Sequence, residues 1–347
     1  MTAFDDLDAR LRSWVDERDF SAAVLMTQAG EVVFEGSYGL ADRAAGVPVT
    51  PATRFGLASV TKMFTAVAVV DLVAAGSLTF ETPVVDLLPP ERRPSTLLSE
   101  VTVHHLLCHT SGIADYCEED EDSPAYLEDY GSLWEQLPSY SMQRPADFLP
   151  LFGDLPPYRH PGTQWQYCNA GYIVLGLVIE ELTGRAYADV VQERVFDRAG
   201  MTASGFFRLD EALPDIAVGY LPRTDPHQPW RTNIYSTPVV GGADGGAMST
   251  THDLDRFLRA YADGTLLGDY VDLVVAPHAD AGDGFFEGYG VHLYPDGRYG
   301  HGGGDPGVAV IVNRWPDDDV HIIVLGNVEE GPVAARNEVE AAWHDAG

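Results

Sequence analysis

Residues 55–66, FGLASVTKMFTA, hold the only lysine of the chain, Lys62, three positions after Ser59, and the other 20 basic residues are arginine. The apolar run continues to Gly76, which predicts a buried helix that begins near Ser59 and ends at a glycine cap. Residues three apart share a helix face, so the Ser59 and Lys62 side chains are expected to lie together. Burial at the positive end of a helix lowers the pKa of an amine, so Lys62 can accept a serine proton, which an arginine cannot do. The stretch predicts Ser59 as a nucleophile and Lys62 as its base, although a capping serine beside a surface lysine would give the same letters.

A second candidate stretch is PGTQWQYCNAGYIVLG, residues 161–176, in which Tyr167 and Asn169 stand two positions apart before a predicted helix. Side chains two apart in extended backbone point the same way, so both can enter one cleft. A tyrosine hydroxyl can pass on a proton, and an asparagine amide can hold both a lysine and a substrate carbonyl. Taken alone, a buried tyrosine and a turn asparagine explain this spacing better than a site does.

The third stretch is GHGGGDPG, residues 300–307, on or just after a predicted strand. Consecutive glycines let the backbone come very close to a ligand. A backbone N–H at this edge, opposite that of Ser59, would complete an oxyanion hole for a tetrahedral intermediate. We therefore count His301, Gly303 and Gly304 as candidate substrate-binding residues, with a glycine-rich hairpin end as the structural alternative.

Predicted strands lie near both ends of the chain, whereas predicted helices fill the middle from about residue 80 to 240. Two early strands meet at a hairpin at Ala29-Gly30, and a later hairpin turns at 295–297. We expect an α/β protein of the α+β type, in which one antiparallel sheet is flanked by the N- and C-terminal helices and stands beside an all-helical lobe. The sheet lobe would comprise residues 1–58 with 240–347 and the helical lobe residues 59–239, with the active site between them.

The order Ser-x-x-Lys, Tyr-x-Asn, His-x-Gly resembles that of the class C β-lactamase and penicillin-recognising serine hydrolase family, which includes DD-carboxypeptidases, D-aminopeptidases and family VIII esterases. The likeness runs from about residue 20 to 326 and is carried by FGLASVTKMFTA, VTVHHLLCHTSGI, PGTQWQYCNAGYIVLGLVIEELTG, GGADGGAMSTTHDLDRFL and YGHGGGDPG. It implies a β-lactamase/transpeptidase-like fold and a reaction through an acyl-enzyme.

The resemblance also implies roles for individual residues. Ser59 would be acylated, Lys62 would be its base, and Tyr167 would relay a proton to the leaving group. Asn169 would position Lys62 and the substrate amide, and His301 stands where many relatives carry the lysine of Lys-Thr-Gly. The oxyanion donors would be the backbone N–H groups of Ser59 and Gly304.

Composition limits the partners and the compartment. With 53 acidic and 21 basic residues the formal charge is −32, which disfavours binding to nucleic acid or to anionic membranes. Three cysteines in a large chain and the lack of an apolar leader predict a cytoplasmic protein without a disulfide framework. No cofactor or metal is predicted, because His104, His105 and His109 fit helical packing and a capped turn better than a zinc motif. The oligomeric state is left open.

Acidic residues near the motifs indicate the kind of substrate. Asp305 follows the glycines, no hydroxyl lies beside them, and Asp115 and the run 118–122, EEDED, are expected near the cleft mouth. An anionic substrate would be repelled, so we expect an esterase or a D-aminopeptidase-like enzyme for a small, neutral or amine-bearing ester or amide. A β-lactamase or DD-carboxypeptidase is the first alternative, and a non-catalytic ligand-sensing or scaffold module is the second.

Other sequence features bear less directly on function. The absence of Gly-x-Ser-x-Gly argues against an α/β-hydrolase, and GHGGG lacks the residues that follow a phosphate-binding loop. Several aromatic residues are candidates for the pocket lining, with core packing as the alternative for each: Tyr116, Trp165, Trp230 and Tyr235.

Overall fold

The structure, a computed structural model, describes residues 3–346 apart from 122, 124, 129, 136 and 226. Its strands are β1 (Ala22–Gln28), β2 (Glu31–Tyr38), β3 (Leu40–Asp42), β4 (Val47–Pro48), β5 (Phe55–Gly56), β6 (Met248–Ser249), β7 (Ala279–Gly282), β8 (Phe285–Glu287), β9 (His292–Leu293), β10 (Tyr299–Asp305), β11 (Val308–Trp315) and β12 (Val320–Gly326). Its α-helices are α1 (Ala3–Arg18), α2 (Thr61–Ala74), α3 (Val84–Leu87), α4 (Val103–Leu107), α5 (Leu149–Phe152), α6 (Asn169–Thr183), α7 (Tyr187–Val191), α8 (Asp197–Ala199), α9 (Thr251–Ala262), α10 (Val271–Val274) and α11 (Pro332–Ala346).

The main sheet joins the two ends of the chain, as the strand pattern predicted. Its strand order is β2-β1-β12-β11-β10-β9-β8-β7, and the pairs are antiparallel. The predicted first hairpin turns at Ala29 and Gly30, whose φ angles of 48° and 84° suit a tight turn that matches the strand twist. The expected antiparallel sheet with flanking terminal helices is therefore confirmed.

Both faces of the central strands are covered. In β12, Val320, Ile322 and Val324 pack in one apolar cluster with α1 and α11, whereas Ile323 and Leu325 point into the larger core on the other side. Alternate residues of a strand face opposite ways, so one apolar run can serve two cores. This arrangement holds the sheet rigidly between its helices.

The larger core surrounds α2, in which every residue from Thr61 to Val70 is buried. Phe64 of this helix packs edge-on against Phe196 and Phe257, with ring centroids 5.0 and 4.8 Å apart. Edge-to-face aromatic pairs of this kind add stability beyond the area that they bury. The helix that carries Lys62 is thus fixed on all sides.

A two-stranded sheet positions the start of α2. Phe55 pairs with Ser249 and Gly56 with Met248, and the Leu57 N–H donates to the Ala247 carbonyl at 2.9 Å. These contacts bring the glycine-rich segment 241–246 beside the turn at Ser59.

Some elements differ from the expectations. Helix α9, which the strand pattern did not predict, packs against β1 and β12, and the C-terminal strands of the main sheet begin at Ala279. The larger core contains side chains from both predicted lobes, so the division into residues 1–58 with 240–347 and 59–239 stays a prediction. Among the described residues, no helix has the length and apolar character needed to cross a membrane.

Candidate active site

The turn before α2 presents Ser59 to the solvent-filled cleft. Residues Ala58–Val60 form a short 3-10 turn, and Ala58 has a φ angle of 43°, in the left-handed region that side chains with a Cβ rarely adopt. Local strain of this kind persists only where surrounding contacts impose it, and it is common at functional sites. Here it directs a partly exposed serine out of an otherwise buried segment.

Lys62 lies one turn further on, with 0% of its surface exposed. Its Nζ is 2.9 Å from Ser59 Oγ, 2.7 Å from Asn169 Oδ1 and 2.8 Å from the backbone oxygen of Asp244. An uncharged amine has two N–H groups and one lone pair. If the two carbonyl oxygens accept the N–H groups, the lone pair is left for the Ser59 hydroxyl, which then donates to it.

The surroundings favour that uncharged form. Burial lowers the pKa of Lys62, and this outweighs the opposing effect of the nearby carboxylates, chiefly Asp244 and Glu119. Burial also raises the pKa of Tyr167 well above its usual value, which its hydrogen bond with Ser59 only partly offsets. Both shifts favour the uncharged forms, an amine that can accept a proton and a phenol that keeps one to donate.

Tyr167 packs close to the amine. Lys62 Nζ lies 4.9 Å from the centre of the Tyr167 ring and 5.6 Å from that of Tyr172. The ring of His109 covers Tyr167 at a centroid distance of 4.5 Å. Aromatic faces stabilise a cation, so a proton that arrives on Lys62 during reaction is held favourably.

Asn169 is the first residue of α6, and a buried carboxyl group orients it. Asp115 accepts hydrogen bonds from the backbone N–H groups of Asn169 and Ala170 at 2.6 and 2.9 Å. The Asn169 side chain donates through Nδ2 to Glu119 Oε1 at 2.9 Å, which turns Oδ1 toward Lys62. Asp115 thus supplies the cap that residue 168, a cysteine, cannot supply.

The expectation that Asp115 lies at the cleft mouth was wrong. Its side chain is 4% exposed, and it binds the first turn of α6 instead of lining a cavity. Burial raises its pKa to about 7, against the backbone hydrogen bonds, which favour the carboxylate. An acidic residue close to a motif can therefore accept hydrogen bonds from backbone N–H groups instead of contacting the substrate.

Replacing Asp115 with asparagine should lower both stability and activity. An amide has one acceptor oxygen, so one of the two helix N–H groups would face an NH₂ group. We expect a loss of about 1–2 kcal/mol in the free energy of unfolding, as for a lost helix cap, and a tenfold or larger fall in kcat. Urea unfolding and ester hydrolysis measure the two effects. An Asp154→Asn variant at the surface is the control, and equal behaviour of both variants would contradict the capping role.

The glycines of β10 run beside the Ser59 turn. A Cβ at Gly303 would overlap the Leu57 carbonyl oxygen and lie 3.2 Å from the Ala58 Cβ, whereas one at Gly304 would meet nothing within 4 Å. Gly303 therefore allows close packing, and Gly304 opens onto the cleft. His301 is buried on the same strand, and its ring lies 4.1 Å from that of His292.

Two cavities meet at Ser59. The first, the Asn169 cavity, includes Asn169, Asp244, Asp305 and Glu329 among its lining residues, and the second, the Tyr167 cavity, includes Trp165, Tyr167, His292 and His301. Ser59, Glu119 and Gly304 line both. The structure thus places the sequence-predicted residues close together around Ser59: Lys62, Tyr167, Asn169, His301 and Gly304.

Comparison with known proteins matches this arrangement to a family. The model of the Beta-lactamase family fits residues 11–345. The chain belongs to that family. It is 29% identical over 346 residues to Penicillin-binding protein 4* of Bacillus subtilis (95% of this chain, 73% of that protein). It is 38% identical over 208 residues to Esterase EstB of Burkholderia gladioli (58% of this chain, 50% of that protein).

A solved penicillin-binding protein from Bacillus halodurans superimposes on this Beta-lactamase family member with a TM-score of 0.87 at 38% identity, covering 95% of this chain and 99% of that one. The family and its β-lactamase/transpeptidase-like fold, both expected from the motifs, are confirmed. Its members are serine hydrolases, and so is this chain.

The contacts of two site residues of this Beta-lactamase family member, Asp244 and Glu119, were missed at the level of single motifs. Asp244 binds Lys62 through its backbone oxygen, and its carboxyl group accepts a hydrogen bond from Tyr116. Glu119 holds the Asn169 amide. The stretch GGADGGAMS was visible as part of the resemblance, but nothing in its letters shows that a carbonyl there binds an amine more than 180 positions earlier.

Other candidates are only partly in the site. Trp165 lines the Tyr167 cavity and Tyr116 the Asn169 cavity, but Trp230 packs on Tyr220, and Tyr235 is a largely exposed surface residue, so neither lines a cavity. Of the run 118–122, Glu118, Glu119 and Asp120 line the Tyr167 cavity, as expected for residues near the cleft, and Glu118 is largely buried. Asp122 lies outside the described residues.

The three histidines of the 101–113 stretch have structural partners. His104 Nδ1 is 2.8 Å from the Tyr289 hydroxyl, His105 forms a capping box with Thr102, and the Cys168 N–H donates to His109 Nδ1 at 3.0 Å. Within the part of the chain that the structure describes, no three histidine, cysteine or acidic side chains converge as metal ligands would.

Proposed function

We propose that this serine hydrolase forms an acyl-enzyme on Ser59 and prefers a small ester or amide whose acyl part carries a positive charge. The observation that supports this preference is the charge of the Asn169 cavity. Its described lining contains carboxyl groups and no arginine, lysine or histidine; the acidic residues are Glu119, Glu128, Asp244, Asp305 and Glu329.

The acylation step follows from the hydrogen bonds at Ser59. The Ser59 hydroxyl passes its proton to the uncharged Lys62 amine as Oγ attacks the substrate carbonyl. The backbone N–H groups of Ser59 and Gly304 stabilise the oxyanion that forms, and the adjoining helix end favours the same negative charge. Tyr167 gives its proton to the leaving group and is reprotonated from Lys62, so that both groups return to their neutral forms.

The two cavities bind different parts of the substrate. Asn169, which binds a substrate amide in this scheme, lines only the first cavity, whereas Tyr167, which protonates the leaving group, lines only the second. The acyl part therefore occupies the Asn169 cavity, and the leaving group occupies the Tyr167 cavity. The carboxyl groups of the first cavity then act on the charge of the acyl part.

Acylation of Ser59 is tested by a fluorophosphonate probe followed by mass spectrometry. We expect a single adduct on the peptide that contains Ser59, and none in a Ser59→Ala variant. A folded wild-type protein that stays unlabelled would favour the non-catalytic module instead.

Substrate charge is tested with three nitrophenyl esters of similar size, one neutral, one carrying a trimethylammonium group and one carrying a carboxylate. The cationic ester should have a kcat/KM at least about tenfold above that of the anionic one, a difference of about 1.4 kcal/mol. Nitrocefin, which is anionic, should be turned over far more slowly than the neutral ester. A preference for the anionic ester, or for nitrocefin, would support the β-lactamase or DD-carboxypeptidase alternative.

Asp305 gives this preference a pH dependence. Burial raises the pKa of Asp305 to about 7, so its side chain is neutral below that pH and charged above it. The ratio of kcat/KM for the cationic ester to that for the neutral ester should rise as pH increases through about 7. The ratio cancels effects common to both esters, such as the titration of Lys62. In an Asp305→Asn variant it should stay low and flat, and an unchanged pH profile would exclude Asp305 as the source.

A further inference from the structure

The Tyr167 cavity contains a histidine that none of the motifs includes. His292 lies on β9 and lines this cavity together with Ser59, Tyr167 and His301. Its ring centre is 4.1 Å from that of His301 and 6.3 Å from that of Tyr167, and its side chain is 13% exposed. An ionisable ring therefore faces the space assigned above to the leaving group.

A buried carboxylate orients this ring. Glu287 pairs directly with His292 across β8 and β9, and its Oε2 accepts a hydrogen bond from His292 Nδ1 at 3.0 Å. The Glu287 side chain is 0% exposed, and its Oε1 has no hydrogen-bond partner among the described residues. A polar group is rarely buried in this way without a function, because an unpaired oxygen costs about 1–3 kcal/mol.

The pairing leaves one ring nitrogen for chemistry. With Nδ1 engaged as a donor to Glu287, a neutral His292 has its lone pair on Nε2. A carboxylate that fixes the tautomer and orientation of an imidazole is the arrangement by which a histidine becomes a general base. The His292 ring of this pair borders the Tyr167 cavity, whereas the Ser59 hydroxyl already has Lys62 as its base.

We infer that His292, oriented by Glu287, is the general base for the water that hydrolyses the acyl-enzyme. The inference rests on the proposed function, because it needs an acyl group on Ser59. Once the leaving group departs, water enters the Tyr167 cavity, where that group was bound. Nε2 of His292 takes a proton as the water oxygen bonds to the acyl carbon; the bond from that carbon to Ser59 Oγ then breaks, and Oγ takes the proton of the Tyr167 hydroxyl, its hydrogen-bond partner. His292 then releases its proton to solvent and Tyr167 regains one from solvent, so that both groups return to their neutral forms.

A separate base is useful at this step. Burial keeps the Tyr167 hydroxyl protonated, since the pKa of Tyr167 is raised well above its usual value, so it is a poor acceptor for a water proton. Lys62 Nζ is surrounded by three oxygens and lines neither cavity, so it is badly placed to take a proton from water in the Tyr167 cavity. Two histidines line this cavity among the described residues. His301 is 1% exposed, with Nδ1 against the Gly302 carbonyl and a buried Nε2, whereas the His292 side chain is 13% exposed, so His292 is the one that water can reach.

The test separates acylation from deacylation in a His292→Gln variant, with a neutral nitrophenyl ester as substrate. Rapid mixing should show a burst of nitrophenol at the wild-type rate, within about threefold. The steady rate that follows the burst should fall at least about tenfold. This loss is smaller than the usual contribution of a general base, because Lys62 and Tyr167 remain in the variant. Intact-protein mass spectrometry should then show the acyl-enzyme accumulating.

Hydroxylamine distinguishes a missing base from a misplaced site. It attacks an ester without first losing a proton, so it should restore turnover of His292→Gln toward the value that wild type shows with the same reagent. His252→Gln is the matched control, because His252 pairs with Glu35 at 2.7 Å on the surface away from both cavities, and it should deacylate like wild type.

Each result decides the inference. An unchanged deacylation rate in His292→Gln, or a fall that hydroxylamine does not reverse, overturns it and leaves the proposed function intact. A wild type that never acylates at Ser59 overturns both. If His292→Gln fails to fold, Glu287→Gln gives the same test: it should also accumulate acyl-enzyme, because an amide cannot stabilise the protonated imidazole, and a wild-type steady rate there overturns the inference.

Discussion

Replacing Lys62 with arginine should reduce kcat/KM for ester hydrolysis at least about a thousandfold, because it removes the general base of acylation. The Lys62 amine can be uncharged since burial lowers its pKa, whereas a guanidinium stays protonated under these conditions. The larger side chain would also have to fit where Lys62 is 0% exposed and three oxygens lie within 2.9 Å of Nζ.

The measurement is the rate of fluorophosphonate labelling at Ser59, which reports on the nucleophile alone. The converse swap, Arg194→Lys at the partly exposed ion pair with Asp71, is the control for exchanging these two residue types and should leave labelling unchanged. Thermal melting shows whether the Lys62→Arg chain is folded. A folded Lys62→Arg variant that labels as fast as wild type would refute a neutral amine as the base.

The pH dependence of acylation has a definite sign. Because the pKa of Lys62 is lowered, the neutral fraction grows as pH rises through that value and then levels off. Labelling of wild type should therefore increase with pH to a plateau below the pH at which a surface lysine titrates. This differs from the His292 step, which acts only after acylation.

The sequence predicted the parts of the site that depend on local spacing. Ser59 and Lys62 lie one turn apart, next to each other as the helical spacing predicted. Tyr167 and Asn169 both approach Lys62 Nζ, as their two-residue spacing indicated, although they line different cavities. Strand pairing at both chain ends followed from alternation and turn residues, and β1 and β11 lie in the two end regions where strands were predicted.

Residues that act through the backbone or from a distant strand could not be read in the same way. The Asp244 carbonyl binds Lys62, but every residue has a backbone carbonyl, so the amino-acid type at position 244 does not indicate this contact. Asp115 was assigned to the cleft because it is an acid near a motif, yet it caps α6 across more than 50 positions. Glu287 and His292 pair only because the chain reverses between β8 and β9, and five residues apart is neither a helical nor a strand spacing.

The glycine motif illustrates a further limit. Three successive glycines predict close approach, but they do not say which one approaches what. In the structure Gly302 would accept a Cβ at 3.5 Å from Ile311, Gly303 abuts the Ser59 turn, and Gly304 opens on both cavities. The roles alternate because successive residues of a strand face opposite sides.

Gly303→Ala should therefore lower kcat at least about a hundredfold, although Gly303 lines neither cavity. Its new Cβ would overlap the Leu57 carbonyl oxygen and lie 2.8 Å from Val310 Cγ2 and 3.2 Å from Ala58 Cβ. Backbone oxygen cannot move without moving the strained turn at Ala58, so the Ser59 hydroxyl would shift relative to Lys62 and to the Gly304 N–H. Displacements of about 1 Å in a reacting group cost about a hundredfold in rate.

Gly302→Ala is the matched control for overpacking, because its Cβ would make an ordinary contact, 3.5 Å from Ile311 Cδ1. Since Gly302 lines the Tyr167 cavity, the comparison uses stability and the rate of Ser59 labelling, which should stay within about threefold of wild type. The expected signature of Gly303→Ala is a low kcat with slow Ser59 labelling, together with a loss of about 1–3 kcal/mol in the free energy of unfolding from overpacking. If Gly303→Ala instead loses stability while labelling normally, strand β10 does not set the position of the nucleophile. The oxyanion donors would then be fixed by the β5–β6 pair, which reaches the same turn through the Leu57 N–H.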